Sequence, residues 1–261
     1  MTKLTMIPLL CLFLCLSSCT QTKSNTLKIA VTPVPHAEMV EHIQSDLQSE
    51  GYTLELIITE DYNMPNRALA GGEIDANFFQ HEPFLNEQMN QFDYALESMA
   101  SIEIEPLGVY SRKIKSLAEL KPGSKVAIAN DPTNEARALL LLQKQGLIQL
   151  RSTGIQASLL EIKHNPHHLQ FIELDAAMLP RTLEDVDIAV INTNYALGAG
   201  LSPIKEALVL ESLDSPYANI LVIRQGENNR KDLQALKKWM TSDKMKAFIH
   251  KRYQGAILPT F

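Results

Sequence analysis

The chain has 261 residues, 45% hydrophobic and 21% charged, the balance of a water-soluble fold with room for two lobes. Its 30 acidic residues outnumber 24 basic ones, and a formal charge of −6 argues against nucleic acid as a partner. All three cysteines, Cys11, Cys15 and Cys19, fall in the first nineteen residues, so the rest of the chain has neither a disulfide framework nor a cysteine metal site.

Those first residues read as a leader. Lys3 gives a positive start, Met6 to Leu16 is an apolar run, and Leu16-Ser-Ser-Cys19 follows. The run is too short for an ordinary membrane span and reads as a signal peptide over residues 1–18. Its ending resembles a bacterial lipobox, which makes Cys19 the lipidated first residue of the mature protein. One acyl chain holds a membrane only marginally, so stable anchoring needs the two or three chains, palmitate among them, that such a cysteine carries. Residues 19–26 form the lipidated cysteine and a polar tether. The expected location is the cell envelope, on a membrane and facing the periplasm or the exterior.

Strand and helix signals then alternate. A strand at 27–31 leads to an amphipathic helix at 36–50 with Val40, Ile43 and Leu47 inward, stopped at Gly51. A strand at 54–58, a short helix from Pro65 to Gly71-Gly72, and a strand at 75–79 complete a βαβαβ run, which implies a parallel sheet covered on both faces. A second α/β unit has strands at 125–129, 170–174 and 187–191 and helices at 134–145 and around 176–184. Residues 230–253 read as two helices separated near Ser242-Asp243. Each unit places a short helix, an aspartate (Asp75, Asp187) and a buried strand in the same order. The expected lobes are 27–110 plus 224–261 and 111–223, joined by strands crossing near 106–112 and 216–223.

Several chemistries have no motif here. There is no G-x-x-x-x-G-K-[ST] phosphate loop, no G-x-S-x-G elbow and no H-E-x-x-H zinc helix. His164, His167 and His168 cluster in a polar loop without a nearby acid, which is poor metal chemistry. His81 differs, because it follows the 75–79 strand, where open α/β folds place ligands. Tyr62, Phe79 and Phe84 gather at similar positions, and Phe78 and Phe79 must point to opposite faces. Asn192 ends one strand and Asn219 lies in an expected crossing strand; an amide can serve both ends of a zwitterion, or simply a turn.

The segment from Asn130 to Gly146 is the most specific. A strand runs into a turn and then a helix that Asp131 or Thr133 can cap, with Pro132 at its start. Arg137 near the first turn is placed against the helix dipole. On these residues alone it reads equally as an anion ligand or as a solvated arginine sharing a face with Lys144.

Over residues 27–261 the chain resembles the methionine-binding lipoproteins of the NlpA/MetQ family. The matching segments are Pro35-His-Ala-Glu38, Asp61-Tyr62 through Pro65-Asn66, Asp75-Ala-Asn-Phe-Phe-Gln-His81, residues 130–148, Leu179-Pro-Arg181, Ala189-Val-Ile-Asn192 and Asp214-Ser-Pro-Tyr217. The resemblance implies a two-lobe periplasmic-binding-protein fold of type II, with a ligand cleft between α/β lobes. It implies a monomer that captures methionine (L, D or both) or a related amino acid and delivers it to the separate permease and ATPase chains of an ABC transporter. It implies no catalysis, no cofactor and no metal. The family's carboxylate-binding arginine corresponds to Arg137, its polar amino-acid contacts to Asn192 and Asn219, and its side-chain pocket to Tyr62, Phe79 and His81. Phe84 stands where tyrosine is common in the family, and Val34 where glycine is common. The rival expectations are the same fold with another amino acid or a short peptide, and an envelope lipoprotein without a transport role.

Overall fold

The computed structural model describes residues 25–152, 154 and 157–261. The signal peptide, Cys19 and the tether as far as Ser24 lie outside the described residues. The chain opens with β1 (Thr26–Val31), a turn at 33–37, α1 (Glu38–His42) and α2 (Gln44–Ser49). Where the sequence predicts one helix, Ile43 at φ −102° and ψ 4° breaks it in two. Val40, Ile43 and Leu47 are nevertheless all fully buried, as their spacing requires. Val34 sits extended at φ −134°, a conformation open to any residue, so valine is accommodated where the family prefers glycine.

There follow β2 (Thr53–Ile58), α3 (Met64–Ala70), β3 (Ala76–His81), α4 (Glu82–Phe92) and β4 (Leu96–Ile104). β5 (Gly108–Tyr110) starts a second sheet, and β6 (Lys125–Ala129) feeds α5 (Pro132–Lys144). Gly146 follows α5 at φ +74°, the left-handed turn expected of a helix stop. β7 (Gln149–Leu150) and β8 (Ile162–His164) pair as a small ribbon, and β9 (Gln170–Leu174) rejoins the second sheet. The helix expected around 176–184 is a 3-10 helix, Ala176–Thr182; Pro180 inside it has no N–H for an α ladder. β10 (Ile188–Ile191), α6 (Thr193–Gly198), α7 (Pro203–Glu206) and β11 (Val209–Leu210) complete this half. β12 (Ala218–Arg224), α8 (Lys231–Met240), α9 (Asp243–Tyr253) and β13 (Leu258–Pro259) end the chain.

The first sheet runs β13-β4-β12-β3-β1-β2 and the second β11-β5-β10-β6-β9. Both follow one plan. The first strand lies between its second and third in parallel (β2-β1-β3 and β9-β6-β10), and an antiparallel strand, β12 or β5, borders the third. The repeated aspartate has the same task in each. Asp75 accepts from the Lys28 N–H (3.0 Å) and donates its own N–H to the Lys28 carbonyl (2.8 Å), tying the start of β3 to β1. Asp187 ties β10 to β6 through Lys125, at 2.7 and 3.0 Å.

Sheet membership differs from the expected boundaries of 27–110 plus 224–261 and 111–223. β5 pairs in the second sheet and β12 in the first. An antiparallel strand is assigned by the neighbour that receives its hydrogen bonds. The chain therefore crosses between sheets at 105–107 and 211–217.

Helices cover both faces of both sheets. Leu27, Ile29, Val31 and Phe78 pack against α1, α2, α8 and α9, while Ala30, Ile220 and Val222 pack against α3 and α4. In the second sheet Val126 and Ile128 meet α5, and Ala127 and Ala129 meet the 3-10 helix and α6. This two-sided burial leaves the C-terminal ends of the parallel strands as the open ground between the lobes.

Candidate ligand-binding site

A cavity lies where those strand ends face one another. Tyr62, Phe79, His81, Phe84, Arg137, Asn192 and Asn219 all line it, so the structure brings together every cavity residue expected from the sequence. Glu105, Asn134 and Asn194 line it as well. The three surface histidines do not: His164 and His168 are exposed and His167 half-buried, away from this wall.

One wall is aromatic. Tyr62, Phe79 and Phe84 meet pairwise with ring centroids 5.7, 5.8 and 5.9 Å apart, tilted or edge-on. Phe78 turns the other way into the core, against His36, as the pleat predicts. The Tyr62 hydroxyl donates to Asn194 Oδ1 of the opposite lobe (2.7 Å). Burial raises the Tyr62 pKa well above that of an ordinary phenol, so it serves as a neutral donor. Tyr195, on α6, likewise donates to the Glu60 carbonyl across the cleft. These two bonds connect the loop after β2 to α6.

A polar hub faces the aromatic wall. Asp131 is the N-cap of α5 and accepts from the Asn134 N–H (2.9 Å) and the Thr133 hydroxyl (3.1 Å). The Asn134 amide also donates to both Asp131 oxygens, which fixes its Oδ1 toward the cavity. That oxygen accepts from Asn192 Nδ2 (2.8 Å) and His81 Nε2 (3.3 Å). His81 Nδ1 in turn accepts from the Phe84 N–H (3.1 Å), so the proton of the neutral ring sits on Nε2. Burial, and then nearby Arg137, push the His81 pKa down to about 3, and it stays neutral. Asn192 Oδ1 is buried without a hydrogen-bond partner.

Arg137 is 3% exposed, which excludes a solvated arginine. It is the sixth residue of α5, beyond the first turn, and the helix N-terminus is already taken by Asp131. The dipole argument from the sequence therefore gives way to a different partner. Nε donates to Glu211 (3.0 and 3.2 Å), and Nη2 donates to Glu211 (2.5 Å) and to the Glu105 carbonyl (2.6 Å). Tyr217 lies beneath the guanidinium, with its ring centroid 4.4 Å from Cζ. Nη1 has no protein hydrogen bond among the described residues. Glu105 and Glu211 stand on the two crossing segments, which also bond to each other through Leu107 and Glu211. Arg137 thus joins the cavity to both inter-lobe connections.

Behind this wall is a cluster of acids. Glu103 and Glu105, two apart in sequence, meet His36, and one oxygen of each lies 3.5 Å from its Nε2. Asn219 aims its amide nitrogen at Glu103 Oε1 (2.8 Å) and His36 Nε2 (3.2 Å), while His36 Nδ1 bonds to the Thr32 hydroxyl (2.5 Å). Glu105 Oε2 accepts from the Asn194 N–H (2.8 Å), but Glu105 Oε1 and Glu103 Oε2 are buried without partners. Burial pushes both carboxyls up to about 8, with Glu103 adding to the effect on Glu105. Burial lowers His36 to about 4.

Sequence reasoning missed Asn134, Asn194, Glu105 and Glu211. A signal existed for two of them. Asn134 holds the third helical position after a capping aspartate, and Glu103-Ile-Glu105 puts two charges on one face of an apolar strand end. Asn194 and Glu211 carry no local signal, because their roles depend on the other lobe or on a crossing segment.

Comparison with known proteins agrees with this architecture. The probable D-methionine-binding lipoprotein MetQ of Vibrio cholerae is 41% identical over 235 residues, covering 89% of this chain and 87% of that one. A solved nutrient-binding protein from Burkholderia cenocepacia, bound to methionine, superposes with a TM-score of 0.88 at 45% identity, over 90% of this chain and all of that one. A periplasmic substrate-binding protein of an ABC transporter from Coxiella burnetii gives 0.85 at 41% identity, again over 90% and 100% of the two chains. The fold is the two-lobe α/β fold of such binding proteins. The NlpA lipoprotein model matches residues 27–261, which takes in both sheets and every residue of the cavity, and the chain belongs to that family.

Proposed function

We propose that this protein captures methionine in the inter-lobe cavity and presents it to the permease and ATPase subunits of an ABC transporter. The observation that carries this reading is the pairing of Arg137 Nη1 with an aromatic trio around one cavity. The Nη1 group would donate to the α-carboxylate as a charge-assisted bond. Asn192 Oδ1, a buried acceptor without a partner, would take the ammonium. Tyr62, Phe79 and Phe84 would hold the thioether, which is unbranched, polarizable and well matched to aromatic edges. Burial of such a side chain contributes about 1.5–3 kcal/mol. The methionine-bound relative from Burkholderia cenocepacia, 45% identical, supports the same ligand.

The reading is of binding rather than catalysis: His36 and His81 are neutral and committed to structural hydrogen bonds. Cys19 would carry the lipid that keeps a monomeric body at the envelope membrane, consistent with the lipoprotein family.

Titration calorimetry with L- and D-methionine, beside a panel of other amino acids and short peptides, tests this. Methionine is expected to bind at one site with a Kd of about 1 μM or tighter. No heat with either enantiomer, together with tight binding of another amino acid, would reject the ligand.

A further inference from the structure

The cavity wall and the groups directly behind it hold more acid than one cation can balance. Arg137 is already matched by Glu211 at 2.5 Å. Behind it, Glu103 is fully buried and Glu105 5% exposed, and one oxygen from each, with His36 Nε2, lie within 4.8 Å of one another. Two adjacent carboxylates in such a place cannot both ionise without a counter-ion. The neutral imidazole supplies none: its Nε2 faces the Asn219 amide nitrogen and therefore acts as an acceptor. Protonation of the carboxyls removes the charge that this buried position cannot balance. Glu105 Oε1 belongs to that cluster, lacks a hydrogen-bond partner, and its side chain also lines the cavity.

We propose that the Glu103–Glu105 pair stores a proton that the ammonium of an incoming amino acid displaces, so that ligand capture is coupled to proton release. This rests on the reading of the cavity as an amino-acid site and adds Glu105 to it as the ammonium's counter-ion. The ammonium enters beside Glu105 Oε1 and Asn192 Oδ1, the pair gives up one of its two protons to solvent, and the bound state holds Glu105 as a carboxylate against the ammonium while Glu103 keeps its proton. No covalent bond changes.

The surrounding groups leave the acids as the members that titrate near neutrality. His36 falls to about 4 and His81 to about 3, so both remain neutral there. Tyr62, Tyr110 and Tyr253, which feel Glu105, are all raised and remain protonated. Arg137 is a permanent cation paired with Glu211. Both carboxyls are raised to about 8 by burial, so at pH 7 both acids of the ligand-free pair are largely protonated. Binding lowers its proton affinity, so linkage makes methionine affinity rise with pH up to about 8 and level off above.

The test is calorimetry of L-methionine at pH 7 in phosphate and in Tris, two buffers with different ionisation enthalpies. The expected result is a buffer-dependent enthalpy corresponding to roughly one proton released per methionine, with affinity falling by up to about tenfold per pH unit below pH 8. Glu105→Gln, which mimics the protonated acid, is expected to bind more weakly and to lose the pH dependence. Methionine binding with equal enthalpy in both buffers would overturn proton coupling while leaving methionine capture intact. No methionine binding in either buffer would overturn both. Full proton release retained in Glu105→Gln would overturn the assignment to this pair.

Discussion

Arg137→Ala is expected to weaken methionine binding by about 100-fold, the loss of one hydrogen bond to a charged group in a water-poor site. It is also expected to cost stability, because the guanidinium does more than face the cavity. Its other edge holds Glu211 and the Glu105 carbonyl, and it rests on Tyr217. Removing one partner of a buried ion pair typically costs about 3–5 kcal/mol, and Glu211 at 13% side-chain exposure places this pair toward the lower end. Affinity and stability must therefore be separated. Glu211→Ala added to Arg137→Ala removes the stranded carboxylate and is expected to recover part of the stability and none of the affinity. Calorimetry beside denaturant unfolding reads both quantities. A folded double variant with wild-type affinity would refute the carboxylate role.

Asn134→Ala is expected to be nearly as damaging, although no charge is lost. One amide there satisfies Asn192, His81 and Asp131 together. Truncation strands two buried polar groups, Asn192 Nδ2 and His81 Nε2, and each unsatisfied group costs roughly 1–3 kcal/mol before relaxation or water entry. Asn192 would be free to rotate, and its Oδ1, the proposed ammonium acceptor, would lose its aim. The expected affinity loss is about 10- to 100-fold, with destabilisation of about 2–3 kcal/mol. Methionine binding within twofold of wild type in this variant would show that the hub does not orient the site.

These two residues illustrate what a sequence discloses. Arg137 stood out because it sits in a specific segment, and its place in the cavity follows from strand β6 and helix α5, whose patterns are local. Its partner Glu211 lies 74 residues away on a crossing segment, and no periodicity connects the two. The parallel strands of both sheets were legible because short apolar runs are local features, whereas the Asp75–Lys28 and Asp187–Lys125 ties join residues far apart in the chain. The allocation of β5 and β12 was not, since an antiparallel strand between two lobes is fixed by hydrogen bonds to distant strands. Phe79 and His81 were found through strand ends, a topological rule that needs only the strand itself. Glu105 was missed because an acid beside a proline resembles a surface turn, and only its 5% exposure and its neighbours His36 and Glu103 reveal the buried cluster.

The site also has a mechanical consequence. Arg137 bonds to residues on both connections between the lobes, while Tyr62 and Tyr195 bond across the cleft. A carboxylate engaged by Nη1 would add a tie between the ligand and the segments on which the lobes turn. Closing the lobes around it excludes water and strengthens each charged contact.

A crystal structure of the protein with L-methionine tests the central claim most directly. The account predicts a carboxylate oxygen within hydrogen-bond distance of Arg137 Nη1, the ammonium against Asn192 Oδ1 and Glu105 Oε1, and the thioether among Tyr62, Phe79 and Phe84. Methionine bound outside this cavity, or inside it with its carboxylate turned away from Arg137, would contradict it.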